Sequence, residues 1–167
     1  MRESLEKQVK FFEEQLKDLD GILNSLLKKF GSLRENVKLL QTIPGVGRIV
    51  ALTLLAEIPL LTLFSRARDV AAFAGLTPGA KTSGTSVCRK GGMTREGSNL
   101  LRKALYMAAL NVARRDNGLR ASYDGLVNRG KEKKIALVAT MHKIVRIAYG
   151  VLTSGEGFDP KKLTVQQ

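Results

Sequence analysis

The chain has few of the residue types on which several common kinds of site depend. It has no tryptophan, one cysteine (Cys88) and one histidine (His142). A single cysteine excludes a disulfide within the chain, and a single histidine excludes a zinc site built from several histidines. Aromatic residues make up 5% of the sequence, so the core must consist mainly of Leu, Ile, Val and Ala. No apolar run reaches the roughly 20 residues of a membrane span, and we therefore expect a cytoplasmic protein.

Acidic residues are scarce after the first 36 positions. Residues 1–36 hold seven basic and seven acidic side chains, whereas the rest of the chain holds 21 basic and eight acidic ones, which accounts for the net charge of +13. A basic excess of this size favours nucleic acid as the partner. The eight acids are scattered singly along the sequence, so we expect neither a catalytic metal site nor a cofactor in this chain.

Apolar residues recur at alternating spacings of four and three along the first 40 positions. This is the a/d pattern of a coiled coil, and residues 1–38 are predicted to form an oligomerisation segment that gives a homo-oligomer. The segment forms either one long helix or a helix pair, because Gly31 precedes Ser32-Leu33-Arg34-Glu35, which matches a capping box. The apolar positions are Leu5, Val9, Phe12, Leu16, Leu19, Leu23, Leu26, Phe30, Leu33, Val37 and Leu40.

The remaining sequence has helical periodicity, which predicts an all-α fold with a compact domain over 39–155 and a loose tail over 156–167. Glycine-rich and polar segments separate the helices, and a short hairpin within 80–93 is compatible with the pattern. Helices are predicted to end near Gln41 and to cover Arg48 to Glu57, Arg66 to about Ala74 with Ser65 as cap and Gly75 as the stop, Glu96 or Ser98 to Asp116, 119–128 and 132–153. The predicted inner face of the helix that ends at Asp116 consists of Leu101, Leu105, Ala108, Ala109 and Val112. That of the last helix consists of Ile135, Val138, Ala139, Ile144, Ala148 and Val151.

The segment Ile43-Pro44-Gly45-Val46-Gly47 joins two predicted helices. This layout is typical of a helix-hairpin-helix, in which the glycines let the backbone approach a phosphate and the second helix offers its amide groups. Gly45, Val46, Gly47 and Arg48 are therefore candidate DNA-binding residues. A purely structural helical hairpin is the alternative.

A polar stretch, TSGTSVCRKGGMTREGSNLLRKAL, covers residues 82–105 and combines hydroxyl groups with cations. It begins as a loop and runs directly into the helix predicted from Glu96 or Ser98. Guanidinium and ammonium groups would neutralise a phosphodiester, and Ser83 beside Gly84 would either donate a hydrogen bond or act as a nucleophile. His142, on the last predicted helix, fits a surface or packing residue better than a general base. The candidate DNA-binding residues here are Lys81, Gly84, Thr85, Arg89, Lys90, Arg95, Arg102 and Lys103.

Four motifs, TIPGVG, AAFAGLTPG, SG and LRKALYM, resemble the C-terminal transposase domain of the "one-ten" family of insertion-sequence transposases, relatives of the Piv-type DNA invertases. The resemblance covers about Leu39 to Asp159. It implies that Ser83 attacks a DNA phosphodiester and forms a transient phosphoserine link to DNA. It also implies a guide RNA, a dimer or tetramer, and a bacterial or archaeal host.

The sequence departs from this family in one respect. The resemblance implies a RuvC-like domain with four metal-binding DEDD acids and Mg, and no such segment is present. We therefore expect the chain to belong to a longer transposase or to be a truncated product, unable to recombine DNA unaided. The alternative function is a non-catalytic helix-hairpin-helix module for nucleic-acid binding and oligomerisation.

Overall fold

The computed structural model describes residues 2–58, 64–83, 87–93 and 97–161, with the backbone alone for 78–83 and 87–93. Within these residues the chain forms seven helices and one two-stranded antiparallel sheet. The predicted helical fold class is confirmed, and the compatible short hairpin is present. The chain divides into two compact units, Met1–Asn36 and Val37–Gln167.

The first unit consists of helix α1 (Arg2–Lys29) and the start of helix α2 (Gly31–Gln41). Phe30 separates the two helices, which matches the helix-pair alternative. The predicted cap is misplaced, because α2 begins at Gly31 and Ser32 lies inside its first turn. Hydrogen bonds nevertheless pass through the break, since Phe30 N–H donates to Leu26 O at 3.0 Å and Arg34 N–H donates to Phe30 O at 3.1 Å.

Helix α1 buries none of its residues. The apolar side chains at the predicted a/d positions of α1 are exposed, apart from the half-buried Leu23, and Phe12 retains 63% of its accessible surface. Val37 and Leu40, the last two positions of the same pattern, are buried in the second unit. The three-four pattern therefore begins on the exposed apolar face of α1 and ends at residues of α2 that are buried in the core of the second unit.

The second unit continues with α3 (Arg48–Glu57), α4 (Ala67–Phe73), strands β1 (Pro78–Ser83) and β2 (Val87–Met93), α5 (Asn99–Arg114), α6 (Arg120–Asn128) and α7 (Lys133–Ser154). Helix α7 packs against α4, α5 and α6, and α5 also packs against α3. By length and composition alone α7 is apolar enough to cross a membrane, although the sequence contains no unbroken apolar run of that length. In this fold eight of its residues are buried, and three helices pack against it.

Helix α5 follows the sequence prediction closely. Ser98 is its N-cap, and the Ser98 hydroxyl accepts a hydrogen bond from Leu101 N–H at 3.2 Å. Such a cap satisfies one of the backbone donors that the first helical turn leaves unpaired. The predicted inner face is buried in full: Leu101, Leu105, Ala108, Ala109 and Val112.

The cap of α4 differs from the prediction. Arg66, not Ser65, occupies the N-cap position, and no side chain caps the helix. The Arg66 guanidinium instead binds the Asp69 carboxylate in the first turn, with Nε–Oδ2 and Nη2–Oδ1 distances of 3.1 and 3.3 Å. At the other end Gly75 adopts φ +69° and ends the helix as predicted.

The segment after α7 also differs from the expected loose tail, at least over residues 156–161. Phe158 N–H donates to Thr42 Oγ1 at 2.8 Å, and a Cβ on Gly157 would lie 3.2 Å from Thr42 Cγ2. Pro160 lies against Gly118, where an added Cβ would be 3.1 Å from the proline ring. The turn after α2 thus holds this part of the chain, whereas residues 162–167 lie outside the described residues.

Candidate nucleic-acid interface and the Ser83 hairpin

The hairpin that carries Ser83 leaves the helical unit between α4 and α5. Gly97, just before the N-cap of α5, has φ +99° and lies directly against the end of α4. A Cβ at Gly97 would be 2.6 Å from Phe73 O and 2.9 Å from Gly75 N, a space that only glycine fits. Leu76, on the way into β1, is buried. The chain is therefore held at the helical core by Leu76 before β1 and by Gly97 before α5.

Ser83 is the last residue of β1. Its Cα partner is Val87, so the Ser-Gly motif lies at the connection between the two strands. Lys81 pairs with Arg89 and Ala80 with Lys90 in the same register, with an irregularity between Pro78 and Ala80. The backbone thus brings three cationic positions close to the Ser83 end. Gly84, Thr85 and Arg95 lie outside the described residues.

The start of α5 supplies the other two predicted cations. Arg102 is half-buried, and its Nη1 donates to the carbonyl oxygen of Gly97 at 3.0 Å. This bond ties the first turn of α5 to the base of the hairpin. Lys103 is exposed. The helix N-terminus adds partial positive charge in the same region, because the backbone N–H groups there point along the axis.

The Pro-Gly-Val-Gly turn lies between α2 and α3 as predicted, but the structure gives its glycines different roles. Gly45 has φ +84°, and a Cβ there would lie 2.5 Å from Ala108 O on α5. Val46 is buried, and its N–H donates to Ile43 O at 3.0 Å. Packing against α5 therefore explains Gly45, and burial explains Val46. Gly47 is the exposed residue of the turn.

Gly47 is the N-cap of α3, and a Cβ there would meet no atom within 4 Å. It is the position in the turn that the backbone of another molecule could approach. Arg48 follows it and is half-buried, with Nε and Nη2 shielded from solvent. At the first turn of α3, the backbone at Gly47 is therefore more accessible to a ligand than the Arg48 guanidinium is.

The described residues do not provide a metal-ligand set. Across 2–58, 64–83, 87–93 and 97–161, no three side chains of His, Cys, Asp or Glu cluster together. The Mg that the resemblance implies for a RuvC-like domain therefore has no fitting ligands in the described part of this chain.

Sequence reasoning missed a cleft along α7. This α7 cleft has a volume of about 850 Å³ and is lined by Arg66 and Ala67, by the α7 residues Ala139, His142, Lys143, Arg146, Ile147, Tyr149, Gly150, Val151 and Ser154, and by 156–159. Burial, followed by the nearby Arg146 charge, lowers the pKa of His142 below its ordinary 6.5. The same two causes lower the pKa of Lys143. The i, i+4 spacing of His142 and Arg146 was the signal available in the sequence.

Comparison with known proteins gives the chain a family. Residues 37–124, just over half of the chain, match the model described as the Transposase IS116/IS110/IS902 family. The chain therefore belongs to this family, and the resemblance carried by the TIPGVG, AAFAGLTPG, SG and LRKALYM motifs is confirmed. The match begins where the second structural unit begins and includes the Ser83 hairpin.

Three relatives illustrate the range of this similarity. The chain is 30% identical over 92% of its length to the pilin gene-inverting protein of Moraxella bovis and covers 48% of that protein. It is 37% identical over 86% of its length to putative transposase y4pF/y4sB of Sinorhizobium fredii, covering 37% of it. A protein of insertion element IS110 from Streptomyces coelicolor is 28% identical over 95% of the chain, which covers 38% of that protein. The chain thus spans less than half the length of each of these relatives.

Proposed function

We propose that this chain supplies the DNA-binding, nucleophilic-serine part of a transposase or recombinase, with Ser83 as the nucleophile. The observation that carries the proposal is the position of Ser83 at the strand end of a basic hairpin anchored to the helical core. Membership of a transposase family and the relative named for gene inversion support DNA as the substrate. The net charge of +13 provides the attraction to phosphates.

The proposed reaction is a transesterification. Ser83 Oγ forms a bond to a backbone phosphorus while one P–O bond of the DNA strand breaks. The hydroxyl proton leaves Oγ, and the released DNA oxygen takes up a proton. Attack by a DNA hydroxyl on the phosphoserine then reverses these changes and rejoins a strand, so no ATP is consumed. Cations near the phosphate lower the barrier by stabilising the charge that develops on its oxygens.

The test compares Ser83→Ala with Thr82→Ala in a recombination assay on the complete protein. Ser83→Ala should abolish strand transfer, because it removes the only atom that can carry the DNA strand, yet it should bind DNA with unchanged affinity. Thr82→Ala removes a neighbouring hydroxyl in the same strand and should retain activity. Normal recombination by Ser83→Ala would refute the proposal.

A second candidate function is a helix-hairpin-helix module that binds nucleic acid and oligomerises without catalysis. The exposed N-cap Gly47, which leaves the first turn of α3 open to a phosphate, favours it. In that case Ser83→Ala and wild type would behave alike in every assay, and binding would fall steeply with salt as each phosphate contact releases counterions.

The resemblance further suggests two partners. One is a second copy of the chain, held through the uncovered a/d face of α1. The other is a guide RNA, whose phosphates would be attracted by the same excess of basic residues. We further propose a cytoplasmic location in a bacterium or archaeon, which is consistent with both partners.

A further inference from the structure

We propose that the α7 cleft is a second nucleic-acid site, in which His142, Lys143 and Arg146, residues distinct from those of the Ser83 hairpin, hold a backbone phosphate. None of the cleft-lining residues whose side chains the structure describes belongs to the Pro-Gly-Val-Gly turn. The proposal rests on the proposed binding of nucleic acid by this chain. It does not depend on any chemistry at Ser83.

The first argument is geometric. His142 and Arg146 are one helical turn apart, so their side chains extend from the same face of α7, and Lys143 adjoins them. Arg146 is exposed, whereas His142 and Lys143 are half-buried beside it. Gly150 continues this face, and a Cβ there would meet no atom within 4 Å, which leaves room at that end of the cleft. The volume of about 850 Å³ easily accommodates a phosphate group and its flanking sugars.

The second argument is electrostatic. The pKa of His142 and the pKa of Lys143 are both lowered, first by burial and then by the Arg146 charge. Cations that lose water beside another cation are costly unless an anion compensates them. Lys143 Nζ donates to the neutral hydroxyl of Ser122 at 3.0 Å, which orients the ammonium without cancelling its charge. A phosphodiester would supply the missing negative charge.

The other charged groups of the cleft limit which anion fits. Arg66 is held by Asp69 in a salt bridge of 3.1 Å. The Asp159 carboxylate accepts a hydrogen bond from Lys161 N–H at 2.9 Å. A single phosphodiester charge beside the α7 cations suits these mixed charges better than a polyphosphate does. The Glu156 and Asp159 carboxylates would repel the several charges of a polyphosphate. The titratable groups that line the cleft are Arg66, His142, Lys143, Arg146, Tyr149, Glu156 and Asp159.

The binding test uses the 167-residue chain with fluorescently labelled duplex DNA and single-stranded RNA of equal length. Arg146→Glu is compared with Lys134→Glu, an equal charge change at an exposed site on the same helix. Arg146→Glu should weaken binding roughly tenfold more than its control, since a charged hydrogen bond to phosphate is lost. The arm that loses affinity, DNA or RNA, identifies the source of the phosphate. Equal losses for both variants would overturn the proposal.

A charge-neutral variant distinguishes a block of the cleft from misfolding and from a general electrostatic effect. Gly150→Leu should fill one end of the cleft and weaken binding, whereas Gly125→Leu, at another open helical glycine in α6, should not.

His142 is the only histidine, so its imidazole NMR signals report on the cleft directly. Oligonucleotide binding should raise the His142 pKa. A shift produced by inorganic phosphate but by neither oligonucleotide would contradict a nucleic-acid site. Loss of the covalent chemistry at Ser83 would leave all of these binding readouts unchanged.

Discussion

At the scale of single residues, the two glycines of the Pro-Gly-Val-Gly turn differ in their surroundings. One is needed for packing, and the other is open to a ligand. Gly45 and Gly47 are two residues apart and look equivalent in the sequence. Gly45 is required by the contact with Ala108 on α5, whereas Gly47 faces open space at the start of α3. The sequence predicts that the turn needs glycine. It does not show which glycine is needed for packing, because the contact is made with Ala108, more than 60 residues away along the chain.

The first residue-scale prediction concerns this contact. Gly45→Ala should lower the free energy of unfolding by roughly 2 kcal/mol or more, since it places a Cβ in a left-handed conformation and against a backbone oxygen. Gly125→Ala is the matched control, and it should raise the same quantity by about 0.5–1 kcal/mol through helix propensity. Urea denaturation of both variants measures the difference. Equal stability of Gly45→Ala and wild type would contradict the described packing.

The second residue-scale prediction concerns pH. Because the pKa of His142 is lowered in the folded chain, the unfolded chain binds more protons than the folded chain as pH falls through 6.5. The free energy of unfolding should therefore decrease as the pH is lowered from about 7.5 towards 5.5. His142→Asn should flatten this slope, whatever its effect on absolute stability. A slope that persists unchanged in His142→Asn would show that other groups cause it.

At the scale of elements, periodicity predicts a helix well and its buried face less well. The predicted bounds of α3 match the structure, and the inner face of α5 was predicted residue by residue. Of the residues predicted to face the core in α7, Ile144, Ala148 and Val151 are buried and Val138 is half-buried, whereas Ile135 is 53% exposed and Ala139 is exposed. Ala136, Leu137, Thr140 and Met141 are buried instead. Nearly every position from 135 to 141 is apolar, so packing against α4, α5 and α6 decides the face.

Helix α1 poses the opposite problem, because its apolar pattern is clear but none of its residues is buried. We expect Leu16→Asp with Leu19→Asp to dissociate a homo-oligomer, since two charges would enter an a/d interface. Lys7→Asp with Lys17→Asp introduces two aspartates at exposed positions outside the seam and should preserve the assembly. Light scattering with size-exclusion chromatography reports the mass. A wild-type chain that is monomeric at all concentrations would contradict the prediction.

At the scale of the whole molecule, charge is unevenly distributed along the chain. The segment of residues 1–36 is electrically neutral and carries the uncovered apolar helix, whereas all of the net charge of +13 belongs to the remaining residues. The transposase-family match begins at residue 37, at the same boundary. The uneven charge and the heptad pattern that ends near residue 38 are both visible in the sequence. The α7 cleft escaped prediction because it depends on how α4 and the segment after α7 meet.

The central claim is that Ser83 becomes covalently attached to DNA. Trypsin cleaves after Lys81 and Arg89 and releases the peptide TSGTSVCR, which contains four hydroxyl side chains. Mass spectrometry of this peptide, taken from a recombination reaction stopped in denaturant and treated with nuclease, shows which oxygen carries a nucleotide. The account predicts a nucleotide phosphate on Ser83 alone. Attachment to Thr82, Thr85 or Ser86, or an unmodified peptide from an active reaction, would contradict it.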